Sequence, residues 1–124
     1  MLKVPIHVRF NDLDAFNHVN NAVYLTYFEE GRMAYFTHLK WDWARDGLIV
    51  ARNEVNYRRP LLLDDEPILQ LDCTRIGNKS FDIDYQLFNK RNELVADGKT
   101  VLAVYDYSIG QAKLLSDEGR KMLE

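Results

Sequence analysis

Cysteine is all but missing from this sequence. Cys73 is the only one in 124 residues, so no disulfide can close within the chain and nothing points to an oxidising compartment. No apolar stretch approaches the length that crosses a bilayer, and no charged-then-apolar leader precedes the first patterned run. A cytoplasmic protein with no membrane partner is therefore expected. A basic excess is missing too: sixteen Lys and Arg stand against nineteen Asp and Glu, a net charge of −3. A dedicated nucleic-acid binder needs a basic surface to displace counterions, so no nucleic-acid partner is expected. What is present is an ordinary globular balance, 47% hydrophobic and 28% charged residues. A chain of this length suits one domain spanning residues 1–124 and buries about two-thirds of the surface its unfolded form exposes.

The patterning gives an order of elements. Lys3–Asn11 alternates, with Val4, Ile6, Val8 and Phe10 on one side and Lys3, His7 and Arg9 on the other, which predicts a strand with one buried face. Beyond the polar loop, apolar residues from Ala22 to Leu39 spread around nearly the whole helical circumference, which predicts a buried helix. Asn20 or Asn21 is placed to cap it. Gly31, costly inside a helix, marks close approach to a neighbouring backbone. Lys40–Gly47 reads as a short helical extension or turn. Strands follow over Leu48–Tyr57, Pro67–Ile76, Phe81–Phe88 and Leu94–Tyr107, with turns at Gly77-Asn78-Lys79 and Asn89–Glu93. Ser116 is placed to cap a short helix over Asp117–Leu123. Hairpin-length turns favour an antiparallel sheet, and one curved sheet can cover a single apolar helix. Such a sheet keeps free edges, so a homo-oligomer is expected.

The loop before the long helix concentrates the chemistry: Asp12 to Asn21 reads DLDAFNHVNN. As a solvated turn and helix cap, its Asx residues would satisfy local backbone groups. As a calcium loop its DxD start fits, but Phe16, Asn17 and Val23 fall where a ligand, a glycine and a bidentate glutamate are required. As a transition-metal site, Asp12, Asp14 and His18 would be ligands, although His7 and His38 stand at no zinc-type spacing. The fourth reading is hydrolytic. A carboxylate at the mouth of an apolar helix can act as base or nucleophile, and the helix start beside it offers unpaired N–H groups to an oxygen gaining negative charge.

The run DLDAFNHVNNAVYLTYFEEGR, with the later NYRRPLLLDDE and RIGNKSF, resembles the hotdog-fold acyl-CoA thioesterases of the 4-hydroxybenzoyl-CoA thioesterase family. The motif D-x-D-x-x-x-H-V-N-N-x-x-Y, followed by E-x-x-R, carries the resemblance, which extends from the first strand through Tyr105. It implies an α+β hotdog fold, a curved antiparallel five-stranded sheet wrapped around one long central helix. It also implies hydrolysis of an acyl-CoA substrate to free acid and coenzyme A, with no metal and no other cofactor, in a homodimer or dimer-of-dimers tetramer. By the same resemblance Asp14 is the catalytic carboxylate, as nucleophile or general base. Backbone N–H groups near Asn20 and Asn21 bind the thioester carbonyl oxygen, His18 and Tyr24 flank the substrate, and Lys79 and Ser80 meet the phosphates of coenzyme A. Ala15, Phe16 and Asn17 stand where some relatives carry proline and glycine, so the pocket entrance and the acyl preference stay open. A hotdog hydratase or dehydratase, and a non-catalytic acyl-thioester binding module, are the alternatives.

Other residues have plainer readings. Asp12 and His18 are expected to hold the loop. Glu29 and Arg32, three apart on the helix, form either a surface ion pair or a pocket carboxylate with its counterion. Arg58 and Arg59 read as an exposed strand end, Cys73 as a core residue, and Trp41 and Trp43 as packing at the end of the helix.

Overall fold

A computed structural model describes residues 1–124. Strand β1 covers Leu2–Pro5, a single 3-10 turn Phe10–Asp12, and helix α1 Val23–Leu39. Strands β2 (Gly47–Tyr57), β3 (Ile68–Ile76), β4 (Ser80–Phe88) and β5 (Leu94–Asp106) follow, then a two-residue strand β6 (Gln111–Ala112) and helix α2 (Asp117–Leu123). All pairings are antiparallel. The sheet runs β1-β3-β4-β5-β2, with β6 extending β5. This is the expected hotdog arrangement with one strand added: β6 pairs with Tyr105 and Asp106, and a two-residue strand is too short to leave an alternating pattern in sequence.

The first strand is shorter than the alternation predicts. Ile6 and Val8 are buried, but pairing with β3 stops at Pro5, and Phe10 is 77% exposed. The cause lies just downstream, where the 3-10 turn folds the chain back through hydrogen bonds from Asp12 N to Arg9 O and Leu13 N to Phe10 O. That turn carries Phe10 off the core-facing side.

Helix α1 also departs from expectation. Its buried residues are Tyr24, Tyr27, Phe28, Gly31, Arg32, Tyr35 and Phe36, a single stripe at three- and four-residue spacing. Leu25 and Met33 stay exposed on another side. The stripe escapes a hydrophobicity count because one member is an arginine and three are tyrosines. Its packing is aromatic: Phe28 stacks on Tyr85 with ring centroids 4.2 Å apart and planes 3° apart. A β-carbon at Gly31 would run into the Leu69 side chain, so the glycine admits a β3 side chain rather than a backbone. Lys40, with φ 58°, closes the helix in the left-handed conformation, and Gly47 opens β2 rather than ending a helical segment. Ser116 caps α2 as expected, its side chain accepting from Gly119 N at 3.0 Å.

Bulges interrupt the ladders between Val50 and Arg52, between Cys73 and Arg75, and between Leu87 and Phe88. No helix is long and apolar enough to cross a membrane.

Candidate active site

The loop is built by its own side chains. Asp12 is buried and accepts from Arg9 N at 3.0 Å, from Arg9 Nη2 at 3.1 Å and from the Tyr27 hydroxyl at 2.7 Å. Burial pushes this carboxyl up, but the Arg9 amide, the Tyr27 hydroxyl and the Arg9 guanidinium together hold it below the usual carboxylate range. Asp12 is thus a latch between the loop and the core face of α1. Its groups are already used, which removes it as a second catalytic acid.

Asp14 is held differently. Its amide donates to His18 O at 2.8 Å, and its Oδ1 accepts from Phe16 N at 2.8 Å and from His18 N at 3.4 Å. A bridge between Leu13 and Val19 closes the loop behind it, and Asn17 turns the tip with φ 64°. Both hydrogen bonds fall on Oδ1, which leaves Oδ2 available to a ligand. The bonds of His18 to Asp14 use its backbone, while its imidazole is exposed and lines the same cleft.

Amides at the helix start divide into used and unused. Asn20 N donates to Asp12 O at 2.8 Å, Ala22 N to Asn20 Oδ1 at 2.9 Å and Val23 N to Asn20 O at 2.9 Å. Ala22 is therefore the cap position, and Asn20 works two residues earlier, as an Asx turn. Of the two asparagine amides expected to meet a carbonyl oxygen, Asn20's is already spent. Those of Asn21 and Tyr24 take no acceptor within the chain. They are the donors the helix start leaves over.

Asp14, His18, Asn21 and Tyr24 line one cleft of about 350 Å³, together with Val19, Tyr57, Arg58, Arg59 and Pro60. Tyr57 joins the end of β2 to the helix start: its hydroxyl donates to Asn21 O at 2.7 Å, and its ring meets Tyr24 edge-on at 5.0 Å. Burial pushes the Tyr24 hydroxyl up to about 12, so it is a neutral group at physiological pH. Arg58 and Arg59, expected at an exposed strand end, are half-exposed and form one wall of the cleft; Arg58 pairs with Asp97 at 2.9 Å and Arg59 loosely with Glu93 at 3.6 Å. Both arginines precede a proline at the close of a strand, which was their one signal in sequence.

Lys79 and Ser80 are elsewhere in the chain. Lys79 ends the β3–β4 turn and Ser80 opens β4; Lys79 O accepts from Val104 N at 2.8 Å and Ser80 Oγ accepts from Arg75 at 2.9 Å. Neither lines the Asp14 cleft. No group of three or more His, Cys, Asp and Glu side chains is gathered to hold a metal.

Residues 8–123 match the model of the thioesterase-like superfamily. The chain belongs to that superfamily. A thioesterase from Thermus thermophilus, solved with coenzyme A and zinc, is 36% identical and superposes with a TM-score of 0.88, covering 98% of this chain and 90% of that one. The long-chain acyl-CoA thioesterase FadM of Escherichia coli is 29% identical over 99% of this chain and 97% of its own. A hypothetical protein from Aquifex aeolicus shares the fold at a TM-score of 0.91 and 20% identity, each chain fully covered. The expectation of a thioester-hydrolysing enzyme on the hotdog fold stands, and in this thioesterase family member the cleft at the start of α1 is where a carboxylate and unused amides come together.

Proposed function

We propose that this thioesterase-family protein hydrolyses acyl-CoA thioesters to free acid and coenzyme A at the Asp14 cleft. The observation that carries the reading is that Asp14, with an uncommitted Oδ2, and Asn21 and Tyr24, with uncommitted amides, line one cleft. The thioester carbonyl oxygen sits against those amides, whose hydrogen bonds and helix-start dipole stabilise the charge that develops on it. Asp14 attacks the carbonyl carbon directly, or takes a proton from the water that does. The tetrahedral intermediate collapses by breaking the carbon–sulfur bond. By the general-base route this gives the acid at once, and the proton taken by Asp14 passes to the leaving thiolate. By direct attack it leaves an acyl–Asp14 anhydride, which water hydrolyses to the free acid and Asp14, while the thiolate takes its proton from solvent. His18 closes the loop through its backbone and lines the substrate's entry. Neutral Tyr24 packs beside it. No metal or other cofactor takes part in the proposed reaction.

A thiol-release assay across short, long and aromatic acyl-CoAs tests this, with long linear chains a first choice because FadM is named for them. Release of free thiol from at least one class is expected. A protein that binds acyl-CoA across the panel and frees no thiol is a binding module, and the hydrolytic reading falls.

The same proposal includes a second copy of the chain. β2 is an eleven-residue strand at the edge of the sheet, and a long unpaired edge is a template for pairing. Exposed Leu25, Met33, Trp43, Ile49 and Val50 lie on α1, on β2 and between them. Lys79 and Ser80 stand apart from Asp14 in their own chain, so their contact with coenzyme A phosphates requires a partner subunit to bring them. Light scattering behind size exclusion is expected to give a dimer or a dimer of dimers in the cytoplasmic form of the protein. A monomer at micromolar concentration would remove the assembly and, with it, the phosphate role of Lys79 and Ser80.

A further inference from the structure

Tyr27 is the one α1 side chain that hydrogen-bonds to the Asp14 loop, and it is fully buried. Its hydroxyl donates to Asp12 Oδ2 at 2.7 Å, an oxygen that also accepts from Arg9 N at 3.0 Å. Burial, and then the bond to Asp12, push the hydroxyl well up from its ordinary value, so it is a permanent donor. Packing alone asks only for the ring, which phenylalanine supplies at Phe28 and Phe36 of the same stripe. The hydroxyl serves Asp12.

Most of the loop is fastened to itself. Asp14 N donates to His18 O and Asn17 N to Asp14 O, the Phe16 and His18 amides meet Asp14 Oδ1, and Leu13 bridges Val19. Such short-range bonds fix the shape of the loop without fixing where it stands against α1. Its placement is set at the two ends: Val19 N donates to Leu61 O at 2.8 Å, and Asp12 is held by Tyr27. Asp12 lies two residues from Asp14 across an extended Leu13, so a shift at Asp12 is carried to the Asp14 carboxylate. Tyr27 lies three residues past Tyr24 on α1, just under one turn. One buried hydrogen bond thus joins the start of the helix, with its unused amides, to the segment that carries the carboxylate.

Resting on the hydrolytic reading above, we propose that Tyr27 is a positioning residue. Through Asp12, its hydroxyl sets where the Asp14 carboxylate stands relative to the Asn21 and Tyr24 amides, and so sets the rate of attack on the thioester. Without the hydroxyl, the buried Asp12 carboxylate is short of a donor and turns toward Arg9 and solvent to recover one. Asp14 is drawn with it. A misplacement on the order of 1 Å costs such a reaction about 10²-fold.

Tyr27→Phe keeps the ring and removes only the hydroxyl. With the fastest acyl-CoA of the panel, kcat is expected to fall about 10–100-fold while KM stays within about threefold of wild type. The rates are taken at a temperature where circular dichroism shows the variant folded; a residue that only stabilises the fold lowers Tm and leaves kcat of the folded enzyme unchanged. Tyr27→Phe is also added to Asp14→Asn. With no carboxylate left to position, the residual turnover is expected to change by less than about threefold. A kcat within about threefold of wild type in Tyr27→Phe, or the same loss repeated on Asp14→Asn, overturns the proposal. Crystal structures of the wild type and Tyr27→Phe read the placement without turnover: Asp14 Cγ is expected to move by about 0.5 Å or more against Asn21 N and Tyr24 N. Thiol release by the wild type with an unmoved carboxylate in Tyr27→Phe overturns the positioning reading alone. A displaced carboxylate, with no thiol freed by the wild type from any acyl-CoA, overturns the hydrolytic reading alone.

Discussion

Asp14→Asn is expected to abolish most thioester turnover while leaving the fold and assembly intact. Asparagine has the same shape, and its carbonyl can accept the Phe16 amide that now binds Asp14 Oδ1 at 2.8 Å, so the loop keeps its geometry. It supplies neither a nucleophilic carboxylate nor a base. A loss in kcat of about 10²–10⁴-fold is the size of effect such a group contributes, with KM expected to change little because the Asn21 and Tyr24 amides, the proposed carbonyl site, are untouched. Circular dichroism and light scattering should match the wild type. Turnover within about threefold of wild type would remove Asp14 from the chemistry. A single turnover of the wild type in isotopically labelled water then tests the nucleophilic route: label entering Asp14 marks an acyl–Asp14 anhydride opened at the Asp14 carbonyl.

The largest stability effect is expected at Asp46, remote from the cleft. This carboxylate is fully buried and accepts from Arg45 Nε at 2.6 Å, Ser116 Oγ at 2.6 Å and Ser116 N at 3.1 Å, with Lys113 Nζ at 4.0 Å. Its own carbonyl accepts from the Trp41 indole at 2.9 Å. The region after α1, the start of β2 and the cap of α2 thus share one residue. Asp46→Ala leaves the half-buried Ser116 hydroxyl and amide without their acceptor and Arg45 only partly solvated, a loss of about 2–4 kcal/mol. The urea midpoint should drop accordingly, while kcat of the folded fraction persists. A change below about 1 kcal/mol would show that solvent replaces the lost acceptor. Burial pushes the Asp46 carboxyl up, but Ser116 and Arg45 outweigh it and hold the group below the usual carboxylate range. A carboxyl depressed on folding stabilises fully above its unfolded pKa of about 4 and loses that stabilisation as pH falls through the folded value. Asp12, held down in the same way, adds to the loss over the same acid window. Wild type should therefore lose stability below about pH 4, and Asp46→Ala should lose less over that interval.

Local features were readable in advance because their causes are local. The Asp14 loop closes on partners within four residues, and Ser116 caps α2 three residues ahead of its donor, so residue type and spacing were enough. The Asn20 amide, expected at the carbonyl oxygen, is instead spent on the Asp12 carbonyl eight residues back, a pairing that residue type and spacing do not announce. Phe10 leaves its expected core-facing side for a related reason: alternation cannot announce a 3-10 turn that reverses the face. The cleft itself was only half legible. Tyr57, Arg58 and Arg59 reach it because the end of β2 closes on the helix start, a contact between Tyr57 and Asn21 across 36 positions of chain.

The sequence alone determined the element order, the antiparallel hairpins, the polar loop with Asp14 at its centre and the family resemblance, since periodicity, turn residues and caps act over a few residues and leave their mark in the string. Tertiary structure alone decided which amides stay unused, which arginines wall the cleft, that Lys79 and Ser80 lie apart from it, that Asp46 ties the region after α1 to α2, and that Arg32 is buried in the stripe of α1. Each of these depends on side chains brought together from distant positions by burial, and burial follows the packing of the whole sheet against α1 rather than any single segment.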